Sequence, residues 1–306
     1  MCDLIPYNLA YVPNAQGISN AGNSCYFNSL IQCLLSCPSI YQVLKTTKYD
    51  NRFAQVLLSL YENALASKDI FEIVKTLWSM IINISNSKNN KYPMRLYQQG
   101  DSHEGLLMFM TAFETIPEVH RLFVHRYLNI IFCDNCKKNV VEKREDNLVF
   151  EVQANLKNMQ IEKFKSIDEY YNVEMNLEDF LRKQNGYVAD FICPECKNKC
   201  EKFRSTTLVM IPEILPVVIK KYEEKVVTNF PAKLVFLAKG GTKKYHYDLV
   251  AQSEHSGSMS GGHYWAIVKR ADGWFVTDDS SVRMSNYGPT TNSYLIFYHF
   301  VGIFDV

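Results

Sequence analysis

In Gly17-Ile18-Ser19-Asn20-Ala21-Gly22-Asn23-Ser24-Cys25-Tyr26-Phe27-Asn28-Ser29, a cysteine stands between a Gly/Asn-rich loop and an apolar run of helical spacing, Leu30, Ile31, Leu34 and Leu35. That position can activate a thiol. At the first turn of a helix, Cys25 meets the positive end of the macrodipole and unpaired backbone N–H groups, and both favour thiolate over thiol. Asn20 can turn its amide NH2 toward the same point and donate to an oxyanion. A lone Asn-Ser-Cys before an apolar run more often marks a capped helix with a buried, inert cysteine. The chemical reading therefore needs a base.

The stretch from Gly261-Gly262-His263-Tyr264-Trp265 to Thr277-Asp278-Asp279-Ser280 supplies one. Two β-rich runs flank an Asp272-Gly273 turn signal, which predicts a hairpin with His263 at the start of one strand and Asp278-Asp279 at the end of the other. A carboxylate there can hold the imidazole in the tautomer and orientation that accepts a thiol proton. Loop length decides which one. A five-residue loop, Lys269 to Gly273, pairs Val268 with Trp274 and sets Asp279 opposite His263, with Asp278 on the other face. His255 is a rival base, but it lacks a carboxylate at hairpin distance and reads as structural.

Four of the nine cysteines form two knuckles, Cys133-x-x-Cys136 and Cys193-x-x-Cys196, separated by the 56 residues 137 to 192. Each knuckle can grip one side of a tetrahedral ion, and four thiolates select Zn2+ in a closed structural site. So long an interval requires strands that return to each other. Cys200 is a possible spare ligand that reads as an ordinary thiol, as do Cys33 and Cys37 on the first helix.

These groups need positioning elements. Phe53, Val56, Leu57, Leu60, Tyr61, Ala64 and Leu65 make a buried helical stripe, and a further helix runs from about Asp101 through Leu107 and Met110 to Phe113. About the first 115 residues are therefore expected to be mainly helical. Beyond Pro117 the pattern turns to strands at Leu128–Phe132, Asn147–Val152, Leu208–Ile211 and Val217–Lys220, then to the hairpin. Lys88-Asn89-Asn90-Lys91 and Glu142-Lys143-Arg144-Glu145-Asp146 read as solvated loops or turns. With 306 residues the chain can bury one large core.

Lys plus Arg (33) nearly cancels Asp plus Glu (32), so no global field recommends nucleic acid or an anionic membrane as partner. The N-terminus lacks the basic and apolar regions of a signal peptide, and Leu208 to Ile219 falls short of the roughly 20 residues that span a bilayer. These features predict an intracellular protein, cytoplasmic or nuclear, with thiols and metal ligands in place of disulfides.

Together, the cysteine and histidine segments resemble the Cys box and His box of the ubiquitin-specific proteases, the papain-like deubiquitinases. The family Cys box, Gly-Leu-x-Asn-x-Gly-Asn-Thr-Cys-Tyr-x-Asn-Ser, is matched with Ile18 and Ser24 as conservative departures. Gln99-Gly100-Asp101-Ser102-His103-Glu104 is similar to Gln-x-Asp-Ala-x-Glu, Ile211 to Tyr222 to the "Pro-x-x-Leu … Leu-Lys-Arg-Phe" strand, and Asn292 to Tyr298 to the closing "Asn-Ala-Tyr-x-Leu-x-Tyr" strand. The resemblance covers about positions 17 to 298. It implies an α+β papain-like fold in which residues 1–306 form one catalytic unit. A helical thumb would occupy about 1–115, and zinc-bearing β fingers and a β-sheet palm about 116–306.

The same resemblance implies hydrolysis of isopeptide or peptide bonds after the C-terminal glycine of ubiquitin. Cys25 would be the nucleophile, His263 the base, Asn20 with the Cys25 N–H the oxyanion donors, and one structural Zn2+ the sole metal. It assigns Asp278 to the imidazole and leaves Asp279 near the oxyanion region, against the hairpin count. Ubiquitin ends in Arg-Leu-Arg-Gly-Gly, so the substrate channel needs carboxylates for arginine and a narrow floor for glycine. Asp101 and Glu104 are acidic and share a helix face, although the same pair also fits a capping box. Gly261 and Gly262 would let backbone approach the Gly-Gly tail, and Tyr264 could wall it. Gly105 stands where the family has Phe. The expected partners are ubiquitin and ubiquitinated proteins, engaged by a monomer without nucleic acid or membrane. A protease for a ubiquitin-like modifier and a silent ubiquitin-binding adaptor are the alternatives.

Overall fold

The structure is a computed structural model, which describes residues 4–87, 95–153, 174–176, 186–220, 230–237, 242–258, 261–285, 290 and 292–305. Among the described residues, six α-helices precede the first strand: α1 (Cys25–Leu35), α2 (Pro38–Thr46), α3 (Arg52–Leu65), α4 (Phe71–Ser87), α5 (Ser102–Phe113) and the short α6 (Pro117–Arg121). All eleven residues of α1 are buried, the hydrogen-bonded Asn28, Ser29 and Gln32 among them, and it lies between the other helices and the sheet. Local chemistry sets the boundaries. Asn51 accepts from the Phe53 and Ala54 N–H groups to start α3, Pro38 opens α2, and Asp101 caps α5. Cys37 is the residue before α2, so it lies past the end of the first helix. Phe27 stacks between Trp78 (6.0 Å) and Phe109 (5.5 Å), locking α1 to α4 and α5.

Two sheets follow. The strands are β1 (His125–Cys133), β2 (Lys138–Asn147), β3 (Phe150–Gln153), β4 (Glu174–Asn176), β5 (Gly186–Ile192), β6 (Lys199–Met210) and β7 (Ile214–Lys220). They continue with β8 (Lys233–Leu237), β9 (Lys243–Ser258), β10 (Gly261–Arg270), β11 (Gly273–Asp278), β12 (Ser281–Met284) and β13 (Ser293–Asp305). A four-stranded sheet runs β2-β1-β6-β5, and a nine-stranded sheet runs β12-β11-β10-β9-β13-β7-β3 with β8 on β9 and β4 on β8. The long β9 and β13 form the spine of the larger sheet, whose β9–β10–β11 end packs on α1. Among the described residues, no helix is long and apolar enough to cross a membrane.

Two sequence expectations change. Glu142–Asp146 is not a loop: it lies within β2 and pairs with β1 from Glu142↔Ile130 to Asp146↔Arg126. Most of β2 is exposed, so its charges meet the solvent requirement within a strand, and Arg126 Nη2 binds Asp146 at 2.8 Å across the ladder. The hairpin loop is also shorter than the five-residue count that set Asp279 opposite His263. Lys269 pairs with Trp274 and Arg270 with Gly273, which leaves only Ala271 and Asp272 in the turn. Gly273 closes it at φ +135°, a conformation that asks for glycine. The segment Lys88–Lys91 lies outside the described residues.

Candidate active site

Cys25 is the first residue of α1 and is 5 % exposed. Ser24 makes no side-chain cap to its own helix, because its Oγ accepts from the Ala21 N–H at 2.8 Å. The first N–H groups of the helix thus remain available around the sulfur. Gly22 at φ +92° and Asn23 at φ +56° make the tight turn into the helix, and Asn23 Nδ2 anchors it to the Tyr97 carbonyl at 2.9 Å. Burial pushes the Cys25 thiol up and the nearby Asp279 carboxylate adds to it, while the N–H groups of Tyr264, Tyr26 and Cys25 pull the other way. The expected tilt toward thiolate is therefore outweighed by burial. Among the described residues, no hydrogen bond joins the sulfur to His263.

His263 lies on β10 and Asp278 ends β11. Their Nε2···Oδ1 separation is 2.6 Å. A carboxylate accepts, so Nε2 carries the proton and Nδ1 is the basic nitrogen. The observed register explains the pairing. Ala266 faces Thr277, and alternation from that pair puts His263 and Asp278 on one face of the hairpin. The five-residue loop would have shifted this by one residue and presented Asp279 instead. The Trp265 ring lies along the imidazole, with centroids 6.1 Å apart at 27°.

Asp279 turns away at φ +47° toward the cysteine loop. Asn20 Nδ2 donates to its Oδ2 and Asn28 Nδ2 to its Oδ1, both at 2.8 Å. The Asn20 carbonyl oxygen accepts from the Gly22 N–H at 2.8 Å and the Ser24 N–H at 3.3 Å. Backbone adds to this junction: the Ile18 N–H donates to the Asp279 carbonyl at 2.8 Å, and a Cβ on Gly17 would sit 2.3 Å from the Ser280 carbonyl oxygen. Ligand atoms of His263, Asp278 and Asp279 all lie within 4.8 Å of one another.

The remaining expected substrate residues border this centre. Asp101 Oδ1 accepts from the His103 (2.7 Å) and Glu104 (3.0 Å) N–H groups, and its Oδ2 accepts from Tyr264 Oη at 2.9 Å. The cap and the tie to β10 use both carboxylate oxygens. Burial, with Asp101 beside it, raises the Glu104 carboxyl above its ordinary value. Gly262 does not offer an open floor: a Cβ there would lie 2.3 Å from His255 Nε2, and its carbonyl accepts from the Gln99 side chain. Gly261 is more open, with Gln99 Oε1 nearest at 3.5 Å. His255 stacks on Tyr264, centroids 4.4 Å apart. Gly105 faces Leu30 and Tyr26, and a Cβ there would lie 3.2 Å from Leu30 Cδ2, so α5 approaches α1 where a larger side chain would collide.

At the far end of the four-stranded sheet, Cys133 and Cys196 sulfurs are 3.9 Å apart and Cys136 and Cys193 sulfurs 3.8 Å apart, with all four mutually within 4.8 Å. Tetrahedral zinc with Zn–S of about 2.3 Å sets its sulfurs about 3.8 Å apart, so the set fits the ion, whereas a disulfide needs about 2.0 Å. The side chain of Cys200 lies outside the described residues. Cys33 and Cys37 are buried free thiols.

The family model of the ubiquitin carboxyl-terminal hydrolases matches residues 16–298. The chain belongs to this family. A hydrolase family relative named ubiquitin carboxyl-terminal hydrolase 26, from Oryza sativa subsp. japonica, is 24 % identical over 89 % of this chain and 26 % of its own length. The probable ubiquitin carboxyl-terminal hydrolase 16 of Schizosaccharomyces pombe is 22 % identical over 92 % of this chain and 65 % of its own length. The chain thus spans about a quarter of the rice relative. The solved SAGA Ubp8/Sgf11/Sus1/Sgf73 DUB module bound to ubiquitin aldehyde is 18 % identical, with TM-score 0.72 over 97 % of this chain and 72 % of that one. The fold is therefore that of the ubiquitin carboxyl-terminal hydrolases, mixed helix and sheet.

Within this hydrolase fold, two contact residues carried no role in the sequence reading. Asn28 is a polar residue among the buried positions of α1, which is a signal in itself. Gln99 stands in the segment similar to Gln-x-Asp-Ala-x-Glu, but its bond to Gly262 joins segments remote in sequence, which no local pattern shows.

Proposed function

We propose that the chain is a thiol-dependent deubiquitinase cleaving isopeptide or peptide bonds after the C-terminal glycine of ubiquitin. The observation that carries this reading is the 2.6 Å His263–Asp278 pair on a hairpin packed against the helix that begins with Cys25. The ubiquitin aldehyde on the solved Ubp8 module supports the substrate class.

In the proposed reaction His263 Nδ1 takes the Cys25 proton, and the sulfur attacks the carbonyl carbon of the terminal glycine. The oxyanion is held by the Cys25 N–H and by the second amide hydrogen of Asn20, the first being committed to Asp279. On collapse the bond to the lysine nitrogen breaks, and His263 returns the proton to the leaving amine. Water then attacks the thioester with His263 as base, releasing the ubiquitin carboxylate and the thiol. Because burial pushes the Cys25 thiol up and no hydrogen bond joins it to the imidazole, the proposed reaction needs substrate binding to bring base and thiol together.

Asp101, Glu104, Gly261, Gly262 and Tyr264 line the proposed tail channel; Gln99 shares the bond to Gly262. Cys133, Cys136, Cys193 and Cys196 would hold one Zn2+, which supplies a cross-link between two strand ends and no chemistry. Residues 1–306 are proposed to act as one monomeric catalytic unit on ubiquitinated proteins inside the cell. Turnover measured on a panel of C-terminal fluorogenic modifiers tests the reading: release from ubiquitin supports it, and release only from a ubiquitin-like modifier overturns the substrate.

A further inference from the structure

Asn28 lies one turn after Cys25 on α1, is 3 % exposed, and directs its side-chain nitrogen at three acceptors. These are Asp279 Oδ1 at 2.8 Å, the Ile18 carbonyl at 3.1 Å and the Ser19 carbonyl at 3.3 Å. A single buried amide thus grips the loop leading to Asn20 and the turn carrying Asp279. The other carboxylate oxygen of Asp279 is taken by Asn20 Nδ2. Asn20 can bond in only one orientation, because its carbonyl oxygen faces the Gly22 and Ser24 N–H groups. The flipped amide would set oxygen against carboxylate and NH2 against N–H.

We infer that Asn28 is a positioning residue for the oxyanion site: through Asp279 it fixes the Asn20 amide at a set distance from the thiol of the same helix. The inference rests on the reaction proposed above and adds a residue to it. Asn28 touches no reacting atom. Its leverage is geometric, since it stands on the helix that carries Cys25 and a bond of 2.8 Å ties that helix to the Asp279 turn. An uncharged donor suits the task, because it orients a carboxylate without neutralising it. Aspartate at position 28 would instead place a second carboxylate against Asp279 and two carbonyls.

The test is a double-mutant cycle on hydrolysis of a fluorogenic ubiquitin C-terminal amide. Asn28→Ala should lower kcat by roughly 10- to 100-fold with KM nearly unchanged, a loss of the size that misplacing a catalytic group produces. Asn28→Ser, which keeps one donor, should recover part of it. In an Asn20→Ala background, Asn28→Ala should cost less than about twofold further, because the group it acts through is gone. Multiplicative losses, or losses confined to KM, would overturn the inference. Alkylation of Cys25 by iodoacetamide at an unchanged rate would show each variant folded; a lower rate in Asn28→Ala would overturn the assignment to Asn20 in favour of the thiol. Absence of turnover by the wild-type chain would count against the proposed reaction instead. The side-chain amide resonances of Asn20 then decide: a shift in Asn28→Ala and in Asp279→Ala supports the relay, and unshifted resonances overturn it.

Discussion

His263 and Asp278 bond Nε2 to Oδ1 at 2.6 Å because a two-residue turn, not a longer loop, sets the register of their hairpin. Asp279 is left to face the two asparagines. Asp278→Asn should therefore lower kcat by about 10⁴-fold, the loss expected when an imidazole is given the wrong hydrogen-bond partner. Asp279→Asn should cost distinctly less, since it keeps one of the two acceptor oxygens that face Asn20 and Asn28 and leaves the His263 partner untouched. Kinetics of the two variants measured side by side check this, and a larger loss at Asp279 would reverse the assignment.

Sulfur separations of 3.8 and 3.9 Å fit the four-cysteine cluster to the proposed structural zinc ion. Protein purified without chelator should carry one zinc per chain by elemental analysis. Cys133→Ser and Cys196→Ser should each lose the metal and lower Tm, because binding energy in such a site is folding energy. Zinc-free protein of undiminished Tm would contradict the assignment. Turnover should not require added metal.

The resting thiol should show its burial in a pH profile. Burial disfavours the thiolate, so the folded pKa of Cys25 exceeds the unfolded one. The sign follows: stability from this group is intact below the unfolded thiol pKa of about 8.5 and is lost as pH rises through the folded value. Iodoacetamide alkylation of the free enzyme should accelerate steadily with pH and still be rising at about pH 9. His263→Ala should leave that profile within about twofold, as no hydrogen bond joins the sulfur to His263 at rest. An acidic plateau abolished by His263→Ala would contradict the resting geometry.

Asp101 caps α5 and also accepts from Tyr264. Asp101→Ser preserves a capping oxygen but removes the charge, whereas Asp101→Ala removes both. The alanine variant should lose about 1 kcal/mol of stability relative to serine. Both should raise KM for ubiquitin substrates if the carboxylate meets a ubiquitin arginine. Thermal melts and steady-state kinetics separate the two effects, and an unchanged KM in the serine variant would confine Asp101 to the cap and the tyrosine.

How far the sequence carries depends on whether a feature is local. The helical stripe from Phe53 to Leu65, the Asn-Ser-Cys entry into α1 and the two cysteine knuckles were legible because each is set by near neighbours. The hairpin was legible in its strands and not in its loop: Asp272-Gly273 announces a turn, but nothing in Lys269 to Trp274 fixes whether two or five residues bridge it. That single ambiguity is why the hairpin count gave Asp279 while the family resemblance gave Asp278. Glu142–Asp146 was misread because charge reports solvent exposure, which a loop and an outward strand share. The Asn20–Asp279–Asn28 junction joins residues about 250 apart, and only the fold brings them together.

The proposed reaction depends first on Cys25 being the nucleophile for the ubiquitin C-terminus. Incubation with ubiquitin bearing a C-terminal electrophile, read by intact-protein and peptide mass spectrometry, tests it most directly. One ubiquitin should add per chain, bonded to Cys25, absent in Cys25→Ala and slowed in His263→Ala. No adduct, or an adduct retained by Cys25→Ala on another cysteine, would contradict it.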